Sequence, residues 1–166
     1  MRKLVLTSVA LCAAMLAAPA VAQAPAPPAA PMAYGEPINI ETAKKAAAAA
    51  EAGAKKNNWG MCIAVAGPSG DLVYFERMDL CQFGSIVISQ HKARAAAIFK
   101  RPSKVFEDRV ASGGIGVAAV TLDGVIASEG GIPIVVGGKI VGAMGCSGGT
   151  SQQDGMACQA GVNALK

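Results

Sequence analysis

Gly137-Gly138 stands between two runs of β-branched residues, Ile132–Val136 and Lys139–Val141. A two-residue turn with positive φ at both central positions is what such a pair permits, so the sequence predicts a tight β-hairpin. The whole stretch Gly130–Thr150, GGIPIVVGGKIVGAMGCSGGT, then reads as strand, turn, strand and a glycine-rich corner that opens a final helix. Both strands are apolar, which places the hairpin centrally in a covered sheet rather than at a wet edge.

The remaining elements follow from local signals. Asn39 is an N-cap for an alanine-rich helix running to about Lys56, ended by Asn57-Asn58. Trp59–Ala66 and Leu72–Arg77 are strands joined by the turn Gly67–Asp71, a loop too short for a crossover, so they pair antiparallel. A helix is expected over Phe83–Arg101, stopped by Pro102, and a short one over Lys104–Val110 with Ser103 as its cap. Ala111–Val120 reads as loop or turn, and Thr121–Ser128 as a further strand. The last helix starts at Thr150 or Ser151, with Gln153 or Asp154 in capping-box position. The expected fold is α/β of the α+β type: a three-layer α/β/α sandwich around a mainly antiparallel sheet of about five strands.

Upstream of this domain lie two segments of different character. Arg2 and Lys3, the apolar run Leu4–Leu16 and the small-residue site Ala20-Val21-Ala22 read as a secretory signal peptide over residues 1–22, too short and wrongly flanked to span a membrane. Its removal takes Arg2 and Lys3 with it and lowers the formal net charge from +4 to +2. No basic run remains, which argues against a nucleic-acid partner. Residues 23–37 are Pro/Ala-rich and read as a tether, leaving residues 38–166 for the domain. The expected location is periplasmic or secreted. Cys12 falls in the leader; Cys62, Cys81, Cys146 and Cys158 allow three pairings that sequence does not rank, and at most one bridge is expected.

Three chemistries can be argued at the corner and the second helix. Gly145-x-Ser147-x-Gly149 matches a nucleophile elbow, but the one histidine, His91, precedes the serine, and too little chain follows to supply both triad partners. Neither a dinucleotide fingerprint nor a phosphate loop is present. The backbone N–H groups from Gly148 and Gly149 to Ser151 could still form an anion site at a helix N-terminus; the plainer reading is a sharp turn and close helix–sheet packing. On the second helix, Ser85, Ser89, Lys92 and Lys100 share one arc, with Phe83, Val87, His91, Arg94 and Ile98 opposite. His91 thus lies in an apolar setting, where a neutral imidazole suits haem iron as an axial ligand. Met78 and Cys81 are further possible ligands. Arg94 suits a carboxylate such as a propionate, or a salt bridge to Glu76 or Asp79.

Several segments together resemble a known family. They are Asn57-Asn58-Trp59, Gly70–Val73, Arg77-Met78-Asp79, Ser89–Ala96, Glu129–Ile134 and Gly142–Asp154. In this order and spacing the chain is similar to the GlcG/HbpS-like haem-binding proteins, which include the C-terminal domain of PduO-type proteins. The resemblance implies an α/β/α sandwich, a homo-oligomer, and haem or another small molecule as ligand, with degradation or redox sensing in some members. Relatives often read K-A-x-T-A on the second helix, and some place that threonine at the haem. Here Ala95 occupies the threonine's place, and His91, one turn earlier, is expected to supply the iron ligand instead. The function expected is an exported haem carrier, buffer or sensor rather than a fast catalyst. The alternatives are a cofactor-free accessory or structural oligomer of a periplasmic oxidation system, and a haem-degrading protein.

Overall fold

A computed structural model describes residues 32–166. The expected signal peptide and most of the expected tether lie outside the described residues. The elements are α1 (Ile40–Lys56), β1 (Cys62–Ala66), β2 (Leu72–Arg77), α2 (Gly84–Ile98), α3 (Lys104–Ala111), a 3-10 segment (Gly114–Thr121), β3 (Gly131–Val136), β4 (Lys139–Ser147) and α4 (Ser151–Asn163). All strand pairs are antiparallel, in the order β2-β1-β4-β3. α1 and α4 pack on one face and α2 on the other, which is the expected three-layer sandwich.

The end signals of α1 and α4 act as written. Asn39 accepts the Thr42 N–H at 2.8 Å, and Thr150 and Gln153 form a reciprocal capping box. Gly137 and Gly138 turn the hairpin with φ of 55° and 75°, a conformation that side chains with a Cβ resist. The hairpin's position is only half as expected, because β4 is central and β3 is an edge. Val135 and Val136 are exposed there, and Pro133, which lacks an N–H, suits an edge strand.

The sheet has four strands rather than five. Leu122–Ser128 follows the 3-10 segment as turns and loop, because its exit is claimed by side chains: Ser103 Oγ donates to the Ser128 carbonyl at 2.6 Å and Glu107 accepts the Glu129 N–H at 2.6 Å. Ser103 stands at the α3 N-cap position but makes no capping bond. Its hydroxyl joins Ser128 to the Gly131 N–H at the head of β3.

The two sheet faces differ in size of side chain, and this decides how the layers sit. Ile63, Val65, Met144 and Cys146 point to α1 and α4, where they meet Ala43, Ala46, Ala47, Ala50, Ala157 and Cys158. Ala64, Ala66, Ala143 and Gly145 alternate to the other face and meet Ala93, Ala96 and Ala97 of α2. α2 therefore lies unusually close to the sheet. A Cβ on Gly145 would fall 2.0 Å from the Ser89 carbonyl oxygen and 2.4 Å from the Ala93 nitrogen.

Two disulfides close the domain, against the expectation of at most one. Cys62–Cys81 ties the head of β1 to the loop after β2, and Cys146–Cys158 ties β4 to α4. Their pairing follows from which elements the fold makes neighbours, information that spacing alone lacks.

Candidate functional site: the outer face of the second helix

α2 is turned with its polar arc inward. Ser85 and Ser89 are fully buried and Lys92 is 1% exposed, whereas Phe83 is 76% and Val87 54% exposed. The interior can hold those polar groups because each is partnered. The hydroxyls of Ser85 and Ser147 share a hydrogen bond at 3.0 Å, and Ser89 Oγ donates to the Ile86 carbonyl. Lys92 Nζ bonds to Asp154 Oδ2 at 2.6 Å. Ser147, the elbow serine, is thus buried against a serine and faces no base.

The inverted helix carries His91 and Arg94 to the surface, not into the apolar setting that the arc implied. There they line two adjoining clefts. One, of about 150 Å³, is walled by Ala66, Gly70, Leu72 and Gln90; the other, of about 220 Å³, by Asp123, Gly124 and Val125. Two glycines make room for the arginine's neighbourhood. A Cβ on Gly70 would lie 2.9 Å from Arg94 Cγ, and one on Gly124 2.9 Å from Ile98 Cδ1 and 3.7 Å from Arg94 Nε. None of the ion pairs among the described residues involves Arg94, so neither Glu76 nor Asp79 takes it. The face therefore offers an imidazole and a free guanidinium beside exposed Val87 and Leu72.

The other expected site residues lie elsewhere. Ala95 is fully buried, behind the surface that His91 presents. Gly148 and Gly149 sit at the opposite end of β1, against Gly60 and Gln153. Their N–H groups serve the chain itself: Gly149 donates to Asp154 Oδ1 at 2.9 Å, Gly148 also bonds that carboxylate, and Thr150 donates to Gln153. Burial pushes the Asp154 carboxyl above its ordinary range, while Lys92 and these backbone donors pull the other way. The corner glycines fit the plainer reading, since a Cβ on Gly148 would fall 2.0 Å from the Gly60 carbonyl oxygen.

A further cleft, of about 370 Å³, lies at the far end of β2 between α1 and the loop after β2, walled by Trp59, Arg77, Met78 and Leu80. Met78 Sδ accepts the Met61 N–H there, and Cys81 is held in its disulfide, so its sulfur is not free for a metal. Glu76 is pushed up from the usual carboxylate range, first by burial and then by the charge of Glu51. The Lys92–Asp154 pair and the Glu51–Glu76 pair escaped the sequence reading. A lysine set three and seven residues after two serines, on an otherwise small-residue helix face, was the available signal for the first; nothing in the spacing signals the second.

Comparison with known proteins concerns the chain as a whole. Residues 38–163 match the family model described as haem degrading protein HbpS-like. Protein GlcG of Escherichia coli K12 is 42% identical over 110 residues, covering 66% of this chain and 81% of GlcG. The crystal structure of Klebsiella pneumoniae protein ORFY superposes with a TM-score of 0.75 at 27% identity, over 79% of this chain and 92% of that one. A PduOC:heme complex superposes with a TM-score of 0.69 at 21% identity, over 77% and 94%, a likeness of fold.

Proposed function

The chain belongs to the HbpS-like family, and on that footing we propose that it is an exported haem-binding protein whose ligand lies against the outer face of α2. The observation that carries the reading is the grouping of His91 and Arg94 on one exposed, partly apolar face. Imidazole is a haem-iron ligand, guanidinium pairs with carboxylates such as propionates, and Val87 and Leu72 supply apolar contact for a flat ring system. The haem, when bound, supplies the iron; this chain supplies the donor, the counter-charge and the platform. A related fold is known in complex with heme, in PduOC.

The residues fit haem in kind, and the glycines at 70 and 124 let Arg94 and Ile98 lie close against the neighbouring loops, where a Cβ would displace them. The clefts, about 150 and 220 Å³, are shallow beside the few hundred to a thousand Å³ of an enclosing small-molecule pocket. Such a site favours reversible holding, hence a carrier, buffer or sensor. Export is supported by the leader-like residues 1–22 and by two disulfides, which persist in oxidising compartments.

The family description favours a second reading, haem degradation. Titration of the protein with hemin separates the possibilities. A saturable Soret shift at low micromolar hemin, lost or displaced in His91→Ala, is expected. An unchanged Soret position and affinity in that variant defeats the assignment of His91, and no saturable shift in the wild type leaves the cofactor-free accessory role. Release of bilin product on adding a reductant establishes degradation.

A further inference from the structure

The segment between α3 and the His91–Arg94 clefts is built unlike the rest of the surface. Its 3-10 helix Gly114–Thr121 packs chiefly on α3 and buries only Ala119. Ile115 is 93% exposed, and Val117 and Val120 are also exposed, which is costly for an apolar run with nothing to cover. Together with Arg109 and Ser112, Ile115, Ala118 and Ala119 of the segment wall a cleft of about 520 Å³. Glycines with positive φ flank it: Gly113 (69°) and Gly114 (57°) at its entry, and Gly124 (79°) at its exit. Nothing lies within 4 Å of a Cβ position at either entry glycine, so packing does not fix the backbone there.

The exit is tied to the ligand face. Asp123, Gly124 and Val125 form a wall of the cleft that His91 and Arg94 line. Val120 is three residues from Asp123, so chain length alone keeps it within about 11 Å of that wall.

We propose that residues 113–124 are a strap that forms the second wall of the binding site, swinging on its glycines so that Ile115, Val117 and Val120 cover the outer surface of a ligand held by His91 and Arg94. This rests on the haem reading above and adds to it the element that turns a shallow face into an enclosed site. The ligand class it selects is flat and apolar on the side turned away from α2. Closure exchanges the strap's solvent-facing aliphatic surface for ligand contact.

Hydrogen–deuterium exchange of the full chain, with and without hemin, tests this together with hemin release to apomyoglobin. On hemin binding, amides of residues 113–124 are expected to exchange at least about fivefold more slowly. The double variant Ile115→Ser/Val117→Ser, whose changes lie at exposed positions, is expected to keep the wild-type melting temperature and to release hemin about tenfold faster, the scale of losing one buried aliphatic side chain. Saturable hemin binding with unchanged exchange and unchanged release overturns the strap and leaves the haem reading standing. Absence of hemin binding overturns both. Protection of the strap that rises with protein concentration in the absence of hemin also overturns it, since a second copy would then be its cover.

Discussion

Lys92 of α2 and Asp154 of α4 form an ion pair of 2.6 Å between the two helix layers, with both side chains almost fully buried. The lysine passes Gly130 at the head of β3, where a Cβ would lie 3.0 Å from Nζ and 2.9 Å from Asp154 Cβ. One buried pair therefore joins the helix beneath the ligand face, the edge strand and the capped start of α4. Lys92→Ala strands a buried carboxylate and is expected to cost about 3–5 kcal/mol in urea unfolding. Lys92→Met combined with Asp154→Leu removes both charges and should recover most of that loss. A cost below about 1 kcal/mol for Lys92→Ala would show that the pair does not hold the layers.

Gly145, packed under α2, and Gly84, at that helix's exposed start, make a contrasting pair. A Cβ at 145 would drive into the backbone of α2, so Gly145→Ala is expected to destabilise by about 3 kcal/mol or more, or to prevent folding. At Gly84, the first residue of α2, nothing lies within 4 Å of the Cβ position. Gly84→Ala should stabilise by about 0.5–1 kcal/mol through helix propensity. Thermal melts of both variants decide the matter.

The Cys146–Cys158 bridge closes a short loop, with the two residues 12 apart in sequence, and fastens α4 to β4. Replacing both cysteines by alanine should cost about 3 kcal/mol, read as a lower denaturation midpoint under oxidising conditions. The double variant should also lose most of the wild type's sensitivity to reductant on this side of the sheet. A midpoint unchanged by the substitution would contradict the expected contribution.

Glu76 binds its proton more tightly in the folded chain than in the unfolded one, because burial first, and the Glu51 charge second, disfavour its ionised form. For an acid raised in this way, stability falls as pH climbs from the ordinary carboxylate range, about 4.3, through the raised value. Glu76→Gln removes that dependence. It should raise the melting temperature at pH 7, by less than the equivalent of about 1 kcal/mol for so partly exposed a group, and change little at pH 3.5. A gain confined to low pH would reverse the sign and refute the account.

The parts of the fold that rest on neighbours in sequence could be read from sequence: the Asn39 cap, the Gly137-Gly138 turn, the Thr150–Gln153 box and the antiparallel β1–β2 pair. What failed depended on partners far along the chain. Thr121–Ser128 looked like a strand, but Ser103 and Glu107 claim the backbone where it would have entered the sheet. The cysteine pairs required knowing that α4 lies on the β4 face that bears Cys146. The site was half legible. His91 and Arg94 do share one face, but that face is outward, because Ser85 and Lys92 opposite them find partners on β4 and α4 and Ser89 bonds back to the Ile86 carbonyl. A hydropathy argument has no access to those partners.

The inversion of α2 changes what tolerance to substitution means along this helix. Positions that a hydropathy profile would mark as conservable core, Phe83 and Val87, stand in water and should accept polar replacement with little effect on folding. Ser85 and Ser89, which the same profile would mark as free surface, are sealed against the sheet and should reject bulk or charge. In a screen of random variants, α2 would therefore give a pattern of losses in which folding is guarded by its hydroxyls and its ammonium. Changes at its exposed apolar positions would be felt, if at all, in what the protein holds.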